Sequence, residues 1–246
     1  MNWKIASIVA MTVVNSISPV WAENNWLLEK AKTFKDNKLN SITQTKLSDT
    51  KIGDGLKEAL RVGITNTIRK TGQNDGFLKN EAIKIQFPEN LRTLEKGLRA
   101  VGMNKPLDEF VLSMNRSAEK AVPLASGIFT DAIFNMSIQD ARKILNGSDS
   151  AVTSYFKDKT YQKLKQAFIP MIEKSLGEYD ITKKYNHIVG RYNALPMVKK
   201  VPAFDPKEYV LNKSLDGLFF VLAEEETKIR KDPSARVTDL LKQVFK

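Results

Sequence analysis

Apolar residues recur at helical spacing along most of this chain of 246 residues. From Leu56 onward they fall at steps of three and four, the spacing of side chains on one face of an α-helix. The pattern is most regular between Leu107 and Met136, where the apolar positions share roughly 100° of arc and many are alanine. This stretch predicts the longest helix of the fold, and Pro123 within it predicts a kink or a division in two.

A shorter stretch departs from the helical spacing. Ile83, Ile85 and Phe87 alternate with polar residues, which is the two-residue period of a strand. The residues before them, 71–76, have the Gly, Asn and Asp content of a turn. The hydrophobic pattern as a whole therefore predicts an all-α fold, a single bundle-like domain of several helices with at most a short β segment near residues 82–87.

Prolines, glycines and caps punctuate the second half of the chain. Ser137 followed by Asp140 has the spacing of a capping box and predicts the start of a helix. Several short helices are predicted between residues 155 and 176, because Pro170 interrupts the apolar pattern there. Another helix is predicted over residues 181–192. A penultimate helix carries a stripe of apolar residues: Leu211, Leu215, Leu218, Phe219, Leu222 and Ile229.

The first 22 residues have the features of a secretory signal peptide. Lys4 supplies the single early cation, residues 5–14 are mostly apolar, and Val20 and Ala22 stand at the two positions that a signal peptidase reads. The apolar run is about ten residues, too short to cross roughly 30 Å of hydrocarbon. We therefore expect cleavage after Ala22, export to the periplasm, and a mature chain, residues 23–246, that forms one helical domain.

The composition excludes several kinds of chemistry. The chain has no cysteine, so it has no disulfide framework, thiol nucleophile or thiolate metal site. It has one histidine, His187, which excludes the imidazole-rich zinc and iron sites. Nucleophile-elbow and Gly-rich phosphate-loop sequences are also absent. We therefore expect no metal site, no cofactor and no catalytic residue, and the sequence favours a non-catalytic protein.

The chain carries a formal net charge of +11. Its cations are densest at residues 30–38 and 183–200, and elsewhere most lie beside acids along helix faces. Two interpretations stay open: a solvated surface that keeps the protein soluble, or attraction to an anionic envelope surface such as phospholipid head groups. We expect no nucleic-acid partner, because no binding motif is present and the leader directs the chain away from nucleic acid. The sequence leaves the oligomeric state open.

The strongest candidate site lies on the penultimate helix. Glu225 and Glu226 stand at the margins of its apolar stripe, where an unpaired carboxylate is costly to bury. Two interpretations stay open: a polar pocket whose arginines hold an anionic ligand group, or salt bridges and caps that pin the helices together. The candidate ligand-binding residues are Asn115, Arg116, Glu119, Glu225, Glu226, Arg230 and Arg236.

Eight short segments, in order along residues 54–246, resemble the bacterial family DUF4197. They are GLKEALRVG from Gly55, DGFL from Asp75, MNRSAE from Met114, ILNG from Ile144, AVTSYF from Ala151, LDGLF from Leu215, AEEE from Ala223 and IRKDPSAR from Ile229. The resemblance implies a mostly helical, exported protein of Gram-negative bacteria, with no catalytic residues to carry over. Members often have a lipid-anchor cysteine after the leader. This chain has none, so a freely diffusing periplasmic form is expected.

These observations lead us to expect an exported periplasmic, non-catalytic binding or accessory protein that holds an amphipathic or anionic cell-envelope component between its helices. The alternative is a structural or interaction protein that acts through its surface, including peripheral contact with a membrane. An enzyme based on Glu and Arg chemistry is a third hypothesis. A closed apolar cavity with one polar end would favour the first, an exposed apolar patch the second, and an open cleft lined by acids the third.

Overall fold

The computed structural model describes residues 53–196, 198 and 200–231. The predicted signal peptide, the start of the mature chain and Arg236 lie outside the described residues. Within them the chain is helical and contains no β-strand, as the hydrophobic spacing predicts.

The helices follow one another with short connections, except for longer ones before α2 and before α8. Short 3₁₀ turns at Glu89–Leu91 and Val122–Leu124 precede α2 and α4. The α-helices are α1 over residues 53–72, α2 Arg92–Ala100, α3 Asn104–Ala121, α4 Ala125–Phe134, α5 Ile138–Leu145, α6 Ala151–Glu178, α7 Ile181–Asn193 and α8 Pro206–Lys231.

The core lies where α3, α4, α6 and α8 meet. Helix α8 packs most extensively against α6, and α3 packs against both. Three aromatic rings join these layers: Phe129 of α4 lies 5.2 Å from Phe156 of α6 and 6.1 Å from Phe219 of α8, both in edge-to-face geometry. Such pairs stabilise a core beyond the area they bury. One continuous apolar cluster therefore holds these helices together.

The longest helix is α6, with 28 residues, and not the stretch between Leu107 and Met136. The prediction of several short helices over residues 155–176 is wrong, since α6 continues through Pro170. Pro170 faces solvent, and the buried positions continue at a spacing of four on both sides of it, as at Phe168 and Ile172. Burying that apolar stripe stabilises the continuous helix by more than the loss of one backbone hydrogen bond at Pro170 destabilises it.

Two predicted boundaries are confirmed. The 3₁₀ turn at Val122–Leu124, which contains Pro123, divides the predicted long helix into α3 and α4. The capping box at the start of α5 is present: the Asp140 N–H donates to Ser137 Oγ at 3.0 Å, and the Ser137 N–H donates to Asp140 Oδ2 at 3.2 Å. Both boundaries follow from local side-chain chemistry, which a sequence displays directly.

Residues 82–87 do not form a strand: residues 82 and 83 belong to a turn, and residues 84–86 have no regular secondary structure. Ile83, Ile85 and Phe87 are buried, as their alternation predicts, while Gln86 is exposed. The described residues include no second strand with which this segment could pair. The alternation therefore arises because Ile83, Ile85 and Phe87 enter the core, and it does not indicate a strand of a sheet.

No single helix among the described residues has both the length and the apolar composition of a membrane span. One pair, Asn104–Phe134 with Ile138–Leu145, reaches that standard only when the two are taken together, and they are bent by 104°.

Candidate functional site

The Glu226 carboxylate is buried against the beginning of α6. Its Oε1 accepts a hydrogen bond from the Val152 N–H at 2.9 Å. Its Oε2 accepts from the Thr153 N–H at 2.9 Å and from Thr153 Oγ1 at 2.8 Å. The first N–H groups of a helix have no partner within the helix and carry partial positive charge. Glu226 therefore caps α6 from the neighbouring helix α8.

Arg230 lies one turn after Glu226 on α8 and joins the same junction. Its Nε donates to Glu226 Oε1 at 3.0 Å, and its Nη2 donates to the Ile144 carbonyl oxygen at 2.9 Å. Ile144 is in the last turn of α5, whose final carbonyls lack partners within the helix. The pair of Glu226 and Arg230 thus closes both ends of the connection between α5 and α6.

Glu225 points to the other side of α8 and binds α1. Its Oε1 accepts from Lys70 Nζ at 2.5 Å and from Lys228 Nζ at 3.1 Å, and its Oε2 accepts from Asn66 Nδ2 at 3.2 Å. Burial raises the pKa of Glu225, but the hydrogen bonds from Lys70 and Lys228 outweigh it and hold the pKa below the ordinary value. Glu225 is therefore a charged acceptor that ties α1 to α8.

Asn115 of α3 is fully buried and takes the place of a neighbouring strand for Ile85. The Ile85 N–H donates to Asn115 Oδ1 at 2.9 Å, and Asn115 Nδ2 donates to the Ile85 carbonyl at 2.9 Å. Nδ2 also donates to the Val111 carbonyl at 2.8 Å. Buried backbone groups need such partners. One side chain therefore satisfies both backbone groups of Ile85.

Glu119 and Arg116 hold the turn before Ile85. Glu119 Oε1 accepts from the N–H groups of Phe77 at 3.0 Å and Leu78 at 3.2 Å, and its Oε2 accepts from Arg116 Nη1 at 2.6 Å. Arg116 Nη2 donates to Asp75 Oδ1 at 2.5 Å. Hydrogen bonds from Lys79 and Arg116 lower the pKa of Asp75. The turn is thus the layer that covers the polar side of α3.

The candidate residues form two sets in the structure rather than one pocket. Asn115, Arg116 and Glu119 bind the connection over residues 75–85, whereas Glu225, Glu226 and Arg230 bind α1 and the junction of α5 with α6. The sequence did not reveal their partners Lys70, Asp75, Lys228 and Thr153. Of these four residues, only Asp75 lies in a feature that the sequence predicts, the turn over residues 71–76. Its positive φ of 66° agrees with a turn position.

A small cavity lies beside Glu226 and Arg230. Its volume is about 20 Å³, which is room for about one water molecule. Its walls are otherwise mostly apolar: Ala59, Leu60, Gly63, Val152, Leu222 and Ile229. Pockets for small molecules are typically 300–1,000 Å³. The cavity therefore has the composition of a ligand site with one polar end but not the size.

A groove of about 320 Å³ runs on the surface between residues 81–92 and α8. Its acids Glu81 and Glu89 lie 3.2 Å from Lys84 and 3.0 Å from Arg92. Asp216 and Lys213 add one further charge of each sign. The groove therefore carries no excess charge that would select an anionic or a cationic ligand. Among the described residues, no group of three His, Asp or Glu side chains is arranged to hold a metal ion.

The sequence matches the model of a family described as "Protein of unknown function (DUF4197)" over residues 46–246. The chain belongs to the DUF4197 family. The match covers every described residue and therefore both sets of polar contacts. No curated protein and no solved structure matches the chain.

In this DUF4197 chain, the outer face of α7 differs from the two sets of paired polar residues. Lys183, His187 and Arg191 are spaced four residues apart, so they share one face of the helix, and all three are exposed. Residues 181–204 contain no Asp or Glu. Within the part of the chain that the structure describes, neither Lys183 nor Arg191 forms an ion pair. Among the described residues, this face therefore presents two cations that no ion pair neutralises, although Asp180 and Glu173 line the same surface recess as Lys183.

Proposed function

We propose that this chain is an exported, non-catalytic accessory protein of the bacterial cell envelope that meets its partners at its outer surface. The observation that carries the proposal is the internal use of the candidate polar groups. Glu226 accepts four hydrogen bonds and Glu119 accepts three, all from the chain itself. Export is proposed from the leader-like residues 1–22.

An anionic ligand between the helices would have to displace these contacts. Arg230 already donates to a carboxylate and a carbonyl, and Arg116 donates to two carboxylates. Losing a bond to a charged group costs about 1.5–3 kcal/mol. The cavity of about 20 Å³ beside Arg230 is too small for a ligand to form contacts that would offset that cost. These two facts favour a surface-acting protein over the interior binding protein.

Glu225 and two acids of the surface groove also lack features that a general acid or base requires. A catalytic carboxyl group usually has a raised pKa and faces a cleft. The pKa of Glu225 is lowered instead, and its oxygens face Lys70, Lys228 and Asn66. The acids Glu81 and Glu89 of the surface groove are paired with cations. This arrangement supports a non-catalytic role.

The surface offers an apolar feature as well. Phe134, the last residue of α4, is 78% exposed, and Ile138, the first residue of α5, is 51% exposed. Exposed large apolar side chains that lie close together in the chain are a feature of interaction surfaces. They agree with an accessory role that depends on contact with another molecule.

Native mass spectrometry of protein purified from its own periplasm tests this proposal. We expect the mass of residues 23–246 with no tightly held small molecule. A stoichiometric adduct of lipid mass would contradict the proposal and favour a ligand between the helices. Recovery of the protein in the cytoplasm with Met1 retained would contradict export.

A further inference from the structure

The acids on the helices that pack against α7 are largely occupied by other cations. On α2, Glu95 lies 3.0 Å from Arg99, and the same arginine lies 2.9 Å from Asp108 of α3. On α6, Glu178 lies 2.5 Å from Lys120. Two further acids, Asp180 and Glu173, line the same surface recess as Lys183, and Glu173 lies 3.1 Å from Lys207. Negative charge near the outer face of α7 is therefore concentrated at its beginning, and positive potential extends into solvent toward Arg191.

The orientation of α7 is fixed by its inner face. Ile181, Ile188 and Tyr192 are buried against the core, and Lys184 Nζ donates to Ser113 Oγ of α3 at 2.8 Å. A helix held in this way cannot turn its outer residues inward. Lys183 and Arg191 are therefore displayed on a rigid support. Lys200 follows as an exposed cation in the connection to α8, whose one acid, Asp205, accepts hydrogen bonds from the first N–H groups of α8.

We propose that Lys183 and Arg191 on the outer face of α7, together with the exposed Lys200 of the connection that follows, dock on the surface of an anionic phospholipid bilayer. This inference rests on the proposed function, in which the protein is exported to the cell envelope and meets its partners at its outer surface. The arrangement is a helix face with cations on an outer surface. It lacks the groove lined with stacking aromatic side chains by which proteins bind single-stranded nucleic acid.

The strength of such docking follows from the charge. Each Lys or Arg close to an anionic membrane strengthens binding by roughly fivefold. Three cations therefore give on the order of 100-fold, which is reversible peripheral binding rather than anchoring. The interaction weakens as salt shortens the screening length from about 10 Å at 0.1 M to about 3 Å at 1 M.

Vesicle sedimentation tests the inference. The purified mature chain is mixed with vesicles of neutral phosphatidylcholine, or with vesicles that also contain anionic phosphatidylglycerol, at low and high salt. The test variant carries Lys183→Ala, Arg191→Ala and Lys200→Ala. The matched control carries Arg69→Ala, Lys143→Ala and Lys213→Ala, which remove the same charge from exposed residues of α1, α5 and α8.

We expect the wild type and the control to bind anionic vesicles and not neutral ones, and the α7 variant to lose on the order of 100-fold in partitioning. Equal losses in both variants would mean that net charge acts without a specific face, and would overturn the inference. So would the absence of any preference for anionic vesicles. Neither result would affect the proposed function, which the mass of the periplasmic protein tests separately.

Discussion

The interior of this helical bundle and the outer face of α7 use the same residue types in opposite ways. Inside, Arg230 donates to Glu226 and to a helix-terminal carbonyl, and little of its side chain is exposed. Outside, Arg191 is exposed and has no ion-pair partner among the described residues. A charged residue in a sequence therefore indicates a binding site only once the groups that it faces are known. In this protein the buried charges bind one another and helix ends, whereas Lys183 and Arg191 form no ion pair with any described residue.

The largest expected effect is the removal of the internal cap. Glu226→Ala would leave the N–H groups of Val152 and Thr153 without an acceptor and would remove the carboxylate that Arg230 Nε binds. We expect a loss of about 3–5 kcal/mol in the free energy of unfolding, the usual cost of breaking a buried pair. Chemical denaturation measures it. Glu224→Ala is the control, because Glu224 is exposed on the same helix; an equal loss in both variants would contradict the capping role.

The next effect concerns the side chain that substitutes for a strand. Asn115→Leu keeps the size of the side chain but leaves the N–H and carbonyl groups of Ile85 buried without partners. We expect a loss of roughly 2–4 kcal/mol in the free energy of unfolding. Ser117→Ala is a milder control, because Ser117 Oγ donates only to a carbonyl within its own helix, that of Ser113. If Asn115→Leu matched that control, the pairing with Ile85 would not stabilise the fold.

These two contacts mark what a sequence can reveal. The helices were predictable because a buried stripe is a local property, and the capping box joins residues three positions apart. The partner of Ile85 is a side chain 30 positions away, and the partners of Glu226 in α6 are 73 and 74 positions away. The cost of burying Glu225 and Glu226 was visible in the sequence, but the groups that offset it were determined by tertiary packing.

The continuity of α6 likewise depends on tertiary packing that the sequence does not display. Pro170 reads as a break because it lacks an N–H group. Its effect depends on which side of the helix it occupies, and this side faces solvent. The division of the candidate residues into two sets was also hidden, since it depends on a turn over residues 73–79 that folds against α3.

A smaller, pH-dependent effect is expected at Glu225. Glu225→Gln removes a carboxylate whose hydrogen bonds with Lys70 and Lys228 lower its pKa below the ordinary value of 4.5. A group with a lowered pKa in the folded state stabilises the fold above its unfolded pKa and loses that contribution as pH falls. We expect a loss of about 1–3 kcal/mol in the free energy of unfolding at neutral pH.

The difference between wild type and Glu225→Gln should shrink below pH 4.5, as the pH falls through the lowered pKa of the folded state. Urea denaturation of both proteins at several pH values measures this difference. A difference that stayed constant or grew in acid would contradict the lowered pKa.

The smallest effects are expected on α7, where two neighbouring lysines separate the two uses of charge. Lys184→Ala removes the hydrogen bond from Nζ to Ser113 Oγ and should lower the free energy of unfolding by about 0.5–1.5 kcal/mol. Lys183→Ala and Arg191→Ala change exposed side chains and should each stay within about 0.5 kcal/mol of wild type. Thermal melts resolve the difference, because about 1 kcal/mol shifts the Tm of a domain of this size by roughly 2–4 °C. If Lys183→Ala destabilised the protein as much as Lys184→Ala, Lys183 would have a structural role, and the outer face of α7 would not be free for a partner.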